Sequence, residues 1–119
     1  ARKPVGRDIQ ADYEALNLAG GYDHNWVLNG IGFRKAGSFS CRESGISMDI
    51  YTDMPGMQVY SGNFLDKEPG KEGALYGKHQ GICFETQYFP DAVNKDNFAS
   101  PVVKAREKAV SDTSYVFAF

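Results

Sequence analysis

Residues 81–91 limit the fold of this chain more than any other stretch, and they read Gly-Ile-Cys-Phe-Glu-Thr-Gln-Tyr-Phe-Pro-Asp. Their apolar and aromatic centre predicts a buried strand, which Pro90 ends because proline cannot donate to a neighbouring strand. Alternation along a strand places Cys83, Glu85 and Gln87 on one face. A carboxylate among apolar groups costs free energy unless it is paired, hydrogen-bonded or protonated. Glu85 is therefore either a salt-bridged strand residue or a functional acid–base group.

The rest of the chain also predicts strands. Residues 33–52 have a strand–turn–strand pattern, with period-two alternation over residues 46–52 and a hairpin turn at residues 42–45. Residues 57–60 and 113–119 predict two more strands, and residues 100–103 predict an extended piece. Residues 12–16 favour one or two helical turns, which end at the adjacent glycines 20 and 21.

No long amphipathic helix is predicted, and residues 66–78 and 92–99 are interpreted as loops. The expected fold class is therefore all-β, with antiparallel sheets.

Composition excludes several classes of protein. At 119 residues, with 42% apolar and 13% aromatic residues, the chain predicts one folded domain or a part of one. A net charge of −2 argues against a nucleic-acid partner, and no apolar run predicts a membrane helix. Cys41 and Cys83 form no CxxC pattern, so neither a metal site nor a disulfide framework is expected. We expect both cysteines to be packing residues and the protein to be cytoplasmic.

A polar and aromatic segment at residues 21–28 reads Gly-Tyr-Asp-His-Asn-Trp-Val-Leu. Asp23 and Asn25 are ordinary turn residues, so a loop-capping role is one interpretation. A lone histidine such as His24 is more often structural than a ligand. The alternative is a sugar site, because a pyranose presents hydroxyls at its rim and C–H groups on its faces.

Three segments then occur in order: GGYDHNW at 20–26, TDMPGMQVYSGNF at 52–64 and KHQGICFETQYFPDAVN at 78–94. Together they closely resemble the aldose 1-epimerases, the galactose mutarotases. The resemblance extends over nearly the whole chain and includes the tail Asn97–Pro101. Arg106 departs from it, since the family often has glycine near that turn.

The resemblance implies a fold, a reaction and an arrangement of the chain. The family fold is a large antiparallel β-sandwich, the galactose mutarotase-like supersandwich, and residues 1–119 would be a C-terminal segment of it. The family interconverts the α and β anomers of free hexoses such as galactose and glucose, without a metal or organic cofactor. A glutamate takes the proton of the C1 hydroxyl while a histidine protonates the ring oxygen.

The resemblance also implies site residues. Glu85 matches the catalytic base, and Asp23 and Gln58 match two residues that bind the sugar. His79 does not match the family's acid and is interpreted as structural or as part of the rim. The acid histidine, a second site histidine and an arginine belong to the family's N-terminal portion. We therefore expect this portion either to be supplied by another chain or to be missing, and we expect residues 1–119 alone to be inactive.

Two other functions remain open at this point. A non-catalytic carbohydrate-binding or structural remnant would use Asp23, Gln58, Trp26 and Tyr60 without turnover. A glycosidase-like site would use Glu85 and Asp23 as paired carboxylates. The second is the weaker alternative, because nothing in the sequence supports a carboxylate separation suited to bond cleavage.

Overall fold

The computed structural model describes residues 2–119, and most of their regular structure is strand. The only α-helix of this described part has six residues. The pairings of residues 34–40 with 47–52, of 47–52 with 113–118 and of 68–69 with 75–76 are antiparallel. The helix and strands are, in chain order, α1 (Glu14–Ala19), β1 (Asp23–Val27), β2 (Arg34–Ser40), β3 (Ser47–Thr52), β4 (Gly56–Tyr60), β5 (Glu68–Pro69), β6 (Leu75–Tyr76), β7 (Cys83–Gln87) and β8 (Thr113–Ala118). The predicted all-β fold class is confirmed.

The strands form three sheets, with the orders β1-β4-β7, β2-β3-β8 and β5-β6. The chain divides into two compact units. One contains the residues up to Trp26 together with Gln58–Glu85, and the other contains Val27–Met57 together with Thr86–Phe119. That residues 1–119 are one segment of a larger sandwich domain stays a prediction.

The hairpin of β2 and β3 follows the alternation read from the sequence. The strands pair from Arg34↔Thr52 to Ser40↔Ser47, with an irregularity between Lys35 and Gly37. Gly45 has φ +74° in the turn, a backbone conformation that glycine adopts without a steric penalty. The predicted strand–turn–strand is confirmed.

Strand β8 completes the sheet by pairing with the other edge of β3, from Thr52↔Thr113 to Ser47↔Ala118. Ile50 and Thr52 on β3 are fully buried, both with an exposed fraction of 0%. The Thr52 hydroxyl is 3.0 Å from the Thr113 hydroxyl and accepts from the Met54 N–H at 3.1 Å. A buried hydroxyl is tolerated here because it has hydrogen-bond partners.

Helix α1 begins at Glu14 and ends at Ala19, which is two residues after the predicted start and three residues after the predicted end of the turns. Glu14 in the first turn complements the positive end of the helix dipole. Gly20 ends the helix in the left-handed conformation, with φ +68°, and its N–H donates to Leu16 O. The helix and its glycine end are therefore confirmed.

Two of the predicted segments differ from the structure. Residues 66–78, predicted as a loop, contain the short ladder of β5 and β6, although their charged side chains are exposed as expected. Residues 100–103, predicted as an extended piece, belong to no strand. Pro101 lies within them and lacks the N–H that a sheet pairing needs.

Little apolar surface is buried within the described residues. The buried apolar side chains are Leu16, Ile50, Met57 and Ala92, whereas many larger ones are exposed, including Ile31 at 96% and Phe117 at 55%. No helix among residues 2–119 is long and apolar enough to span a membrane.

Replacing Ile50 with alanine tests this small core. The side chain is completely buried, so Ile50→Ala should lower the free energy of unfolding by about 2–5 kcal/mol, measured by urea denaturation. Ile31→Ala removes the same atoms from an exposed site and should change the free energy of unfolding by less than about 0.5 kcal/mol. Equal losses from the two variants would contradict this account of the core.

Candidate active site

Glu85 lies in the middle of β7, which is at an edge of the β1-β4-β7 sheet. The strand is where the sequence predicts it, but the prediction that it is buried is wrong. Cys83 and Glu85 are exposed, and Phe84 is only partly buried. An edge strand has a neighbouring strand on one side only, so fewer side chains surround it than surround a central strand. The Glu85 carboxylate is therefore open to a ligand from solvent.

Asp23 and Gln58 lie on the two other strands of this sheet, on β1 and β4. The Gln58 Nε2 donates a hydrogen bond to Asp23 Oδ1 at 2.7 Å. Because β4 is the central strand, Asp23, Gln58 and Glu85 occupy three successive strands. The structure thus joins two of the three predicted site residues directly and carries the third on the next strand.

Main-chain hydrogen bonds at both ends of the β1–β4 pair set its register. They are Ser61 N–H to Tyr22 O at 3.0 Å and Leu28 N–H to Pro55 O at 2.9 Å. Counting inward from either bond along antiparallel strands puts Asn25 directly opposite Gln58. Side chains opposite each other or diagonally related across such a pair share a face. Asp23, Asn25 and Gln58 therefore lie on one face of the sheet.

Two buried side chains clamp the residue that precedes Asp23. Ser61 and Asn63 are exposed by only 3% and 6%. The Tyr22 N–H donates to Ser61 Oγ at 2.9 Å, and Asn63 Nδ2 donates to Tyr22 O at 3.0 Å. The Ser61 hydroxyl donates to Asn63 Oδ1 at 2.6 Å, which closes a ring of hydrogen bonds. This ring, the Tyr22 clamp, fixes the main chain from which the Asp23 side chain extends.

His79 holds the chain on the other side of Tyr22. Its Nε2 is 3.0 Å from Gly20 O, and since a carbonyl only accepts, the imidazole donates. The main-chain N–H of His79 donates to Gly62 O at 3.1 Å. Both contacts are to main-chain atoms of the same unit, which supports the structural interpretation of His79.

The imidazole of His24 is held by its neighbours along the chain. The Asp23 N–H donates to His24 Nδ1 at 2.9 Å, so in the neutral ring the proton is on Nε2. The rings of Tyr13 and Tyr22 lie 6.3 Å and 6.1 Å from it, stacked and edge-on respectively. These contacts orient His24 locally.

Sequence reasoning missed Ser61 and Asn63 as residues that build the site. Their polar side chains contact main-chain atoms about 40 residues away, and such a contact leaves no periodic pattern. The available signal was their position in the second of the three segments, as Ser-Gly-Asn directly after a strand. Among residues 2–119, no cluster of three or more His, Cys, Asp or Glu side chains could hold a metal ion.

Both cysteines are free thiols with exposed side chains, so the expectation that they pack in the interior is wrong. Cys41 follows β2 directly, at the hairpin turn. Hydrogen bonds from the Ser44 hydroxyl and from the N–H groups of Ser44 and Glu43 lower the pKa of the Cys41 thiol. The Cys41 thiol therefore ionises at a lower pH than an ordinary cysteine thiol.

Comparison with known proteins relates the chain to a family. The family model described as aldose 1-epimerase matches residues 1–116. Galactose mutarotase from Homo sapiens is 42% identical over 123 residues, an alignment that covers 98% of this chain and 34% of that protein. Aldose 1-epimerase from Escherichia coli K12 is 32% identical over 119 residues, and this alignment covers 97% of this chain and 34% of that protein. The chain thus spans about a third of the length of the curated relatives it matches.

Gly21 tests the packing beside the Tyr22 clamp. It has φ +152°, and a Cβ at this position would lie 2.3 Å from Asn63 Oδ1 and 2.7 Å from Ser61 Oγ. Gly21→Ala should therefore lower the free energy of unfolding by about 1–3 kcal/mol, because the clamp must shift. Gly32→Ala is the control, since Gly32 also has positive φ but no atom within 4 Å of the added Cβ. A loss no greater than that of the control would refute the clash.

The rate of alkylation by iodoacetamide tests whether Ser44 lowers the pKa of the Cys41 thiol. With Cys83 replaced by serine, the rate should depend on the Cys41 thiolate alone. Ser44→Ala removes the largest cause of the lowered pKa, so the pH at half-maximal rate should rise and the rate at pH 7 should fall. The control Ser47→Ala, on the following strand, should leave the dependence of the alkylation rate on pH unchanged. Identical profiles for the Ser44 and Ser47 variants would disprove the assigned cause.

Proposed function

Because the chain belongs to the aldose 1-epimerase family, we propose that it forms part of an enzyme that interconverts the α and β anomers of free hexoses such as galactose and glucose. The observation that carries this proposal is the hydrogen bond between Gln58 and Asp23. Two side chains expected to bind sugar hydroxyls hold each other in place, on the two other strands of the sheet that carries Glu85.

In the proposed reaction, Glu85 is the general base. Its carboxylate takes the proton of the C1 hydroxyl, the bond between C1 and the ring oxygen breaks, and an acid protonates the ring oxygen. The open aldehyde turns about C1–C2 and closes from the other face, which returns both protons. The reaction is an isomerisation without a change of oxidation state, so it needs no redox cofactor. The exposure of Glu85 supports this role because the base must reach the sugar.

Asp23 and Gln58 would orient the hexose for this proton transfer. A carboxylate accepts hydrogen bonds from hydroxyls, and a carboxamide both donates and accepts. Their mutual hydrogen bond limits the motion of both side chains before the sugar arrives. Such preorganisation reduces the entropy lost when the substrate is positioned.

The acid histidine would come from the N-terminal portion expected for the family, as a preceding segment or as a separate chain. Exposed apolar side chains support such a partner. Phe117 and Val116, on opposite faces of β8, are exposed by 55% and 54%, and Phe119 is exposed by 96%. Among the described strands, β8 lies at the edge of its sheet beside β3, and a strand at a sheet edge can pair with another chain. Free thiols at Cys41 and Cys83 agree with a cytoplasmic location.

The second candidate is a carbohydrate-binding or structural remnant without turnover. It is favoured by the expectation that the acid histidine lies outside residues 1–119. It would keep Asp23 and Gln58 as binding residues but would have no use for Glu85 as a base. Glu85 therefore distinguishes the two candidates.

A chimera tests the role of Glu85. Residues 1–119 would replace the matching third of human galactose mutarotase, and polarimetry would follow freshly dissolved α-D-galactose. Glu85→Gln keeps the side-chain shape but removes the base, so kcat should fall by about 10²–10⁴-fold. Glu68→Gln changes an exposed glutamate on β5 and should leave kcat unchanged.

Two outcomes would count against the proposal. An active chimera that keeps its rate after Glu85→Gln would exclude Glu85 as the base. The remnant would be favoured by two results together. Residues 1–119 would bind galactose, as detected by NMR, and the chimera would be folded and bind galactose but have no activity. For residues 1–119 alone we expect binding without acceleration of mutarotation.

A further inference from the structure

Three polar side-chain atoms of the site are buried without a hydrogen-bond partner. Among the described residues, they are Asn25 Nδ2, Asn25 Oδ1 and Gln58 Oε1. The register of β1 and β4 puts these two carboxamides opposite each other, on the face that also carries Asp23. The unsatisfied atoms therefore belong to two side chains that are cross-strand neighbours on one face of the sheet, and one of these side chains, Gln58, also makes the hydrogen bond to Asp23.

This arrangement is unfavourable for the chain by itself. A buried donor or acceptor without a partner has lost its hydrogen bonds to water and gained none in exchange. An apolar side chain of the same shape would avoid this loss, and leucine is close in shape to asparagine. Contacts within residues 2–119 therefore give no reason for asparagine at position 25, whereas a ligand that hydrogen-bonds to its amide would give one.

We propose that Asn25 is a third hydroxyl-binding residue of the sugar site, where its amide binds two adjacent hydroxyls of the hexose. This inference rests on the proposed function. A carboxamide presents one donor and one acceptor in a plane, and neighbouring hydroxyls of a pyranose offer both complements. Gln58 has its Nε2 engaged by Asp23, so its Oε1 accepts from the same sugar.

The amide of Asn25 must turn to meet the sugar. Asn25 as a residue is only partly buried, and the χ2 torsion of asparagine is broad, so the amide can rotate about χ2 when a sugar binds. Hydrogen bonds of a site often align only in the complex. Binding thus satisfies polar atoms that the free chain leaves without partners.

The substitution Asn25→Leu separates a binding role from a structural one. Galactose would be titrated into the 119-residue chain and followed by ¹H–¹⁵N NMR, and thermal unfolding would be measured in parallel. We expect the Kd for galactose to rise about 10-fold or more, while the unfolding midpoint stays the same or increases. Asn17→Leu, on helix α1 and exposed, is the matched control and should leave the Kd unchanged.

Each outcome of this experiment has one meaning. Binding by Asn25→Leu as tight as by the unsubstituted chain would overturn the role of Asn25 and leave the proposed function standing. A lowered unfolding midpoint or an unfolded variant would overturn it too, because asparagine would then be a structural residue. Failure of the unsubstituted chain to bind galactose would overturn the proposed sugar site, and this inference with it.

Discussion

The arrangement of the candidate site depends on the hydrogen bonds that Ser61 and Asn63 make with the main chain of Tyr22. They attach the start of β1 to the end of β4 and so fix which residues of the two strands face each other. The contact between Asp23 and Gln58 follows from this register. Gly21 lets the clamp close, because a side chain there would occupy the space of its polar atoms.

The candidate site combines an exposed carboxylate with two side chains that are hydrogen-bonded to each other. Glu85 lies on an edge strand, whereas Gln58 lies on the central strand of the same sheet and bonds to Asp23. The side chains that would hold the sugar therefore have more support from the described residues than the one that would move a proton. This difference fits a chain that makes up about a third of its relatives' length.

Local patterns predicted the elements, but contacts between distant residues decided their surroundings. Alternation over residues 46–52 and Gly45 were sufficient to predict the hairpin, because strand and turn propensities act over a few residues. Alternation along residues 81–91 likewise assigned Glu85 to a face of β7, but it carried no information on which residues cover that face. Arg106 has φ +71°, a left-handed backbone conformation that favours glycine, and this agrees with the glycine that the resemblance led us to expect near this turn. Ser61 was missed since its partner is distant in the sequence.

The pairing of β3 with β8 has a consequence for biosynthesis. The two strands are separated by about 60 residues, so β3 leaves the ribosome well before the strand that covers its second edge. Until β8 emerges, the hairpin of β2 and β3 presents an open edge and an incompletely covered Ile50. Such a nascent sheet exposes apolar surface and unpaired main chain, which are features that chaperones bind and that promote aggregation during translation.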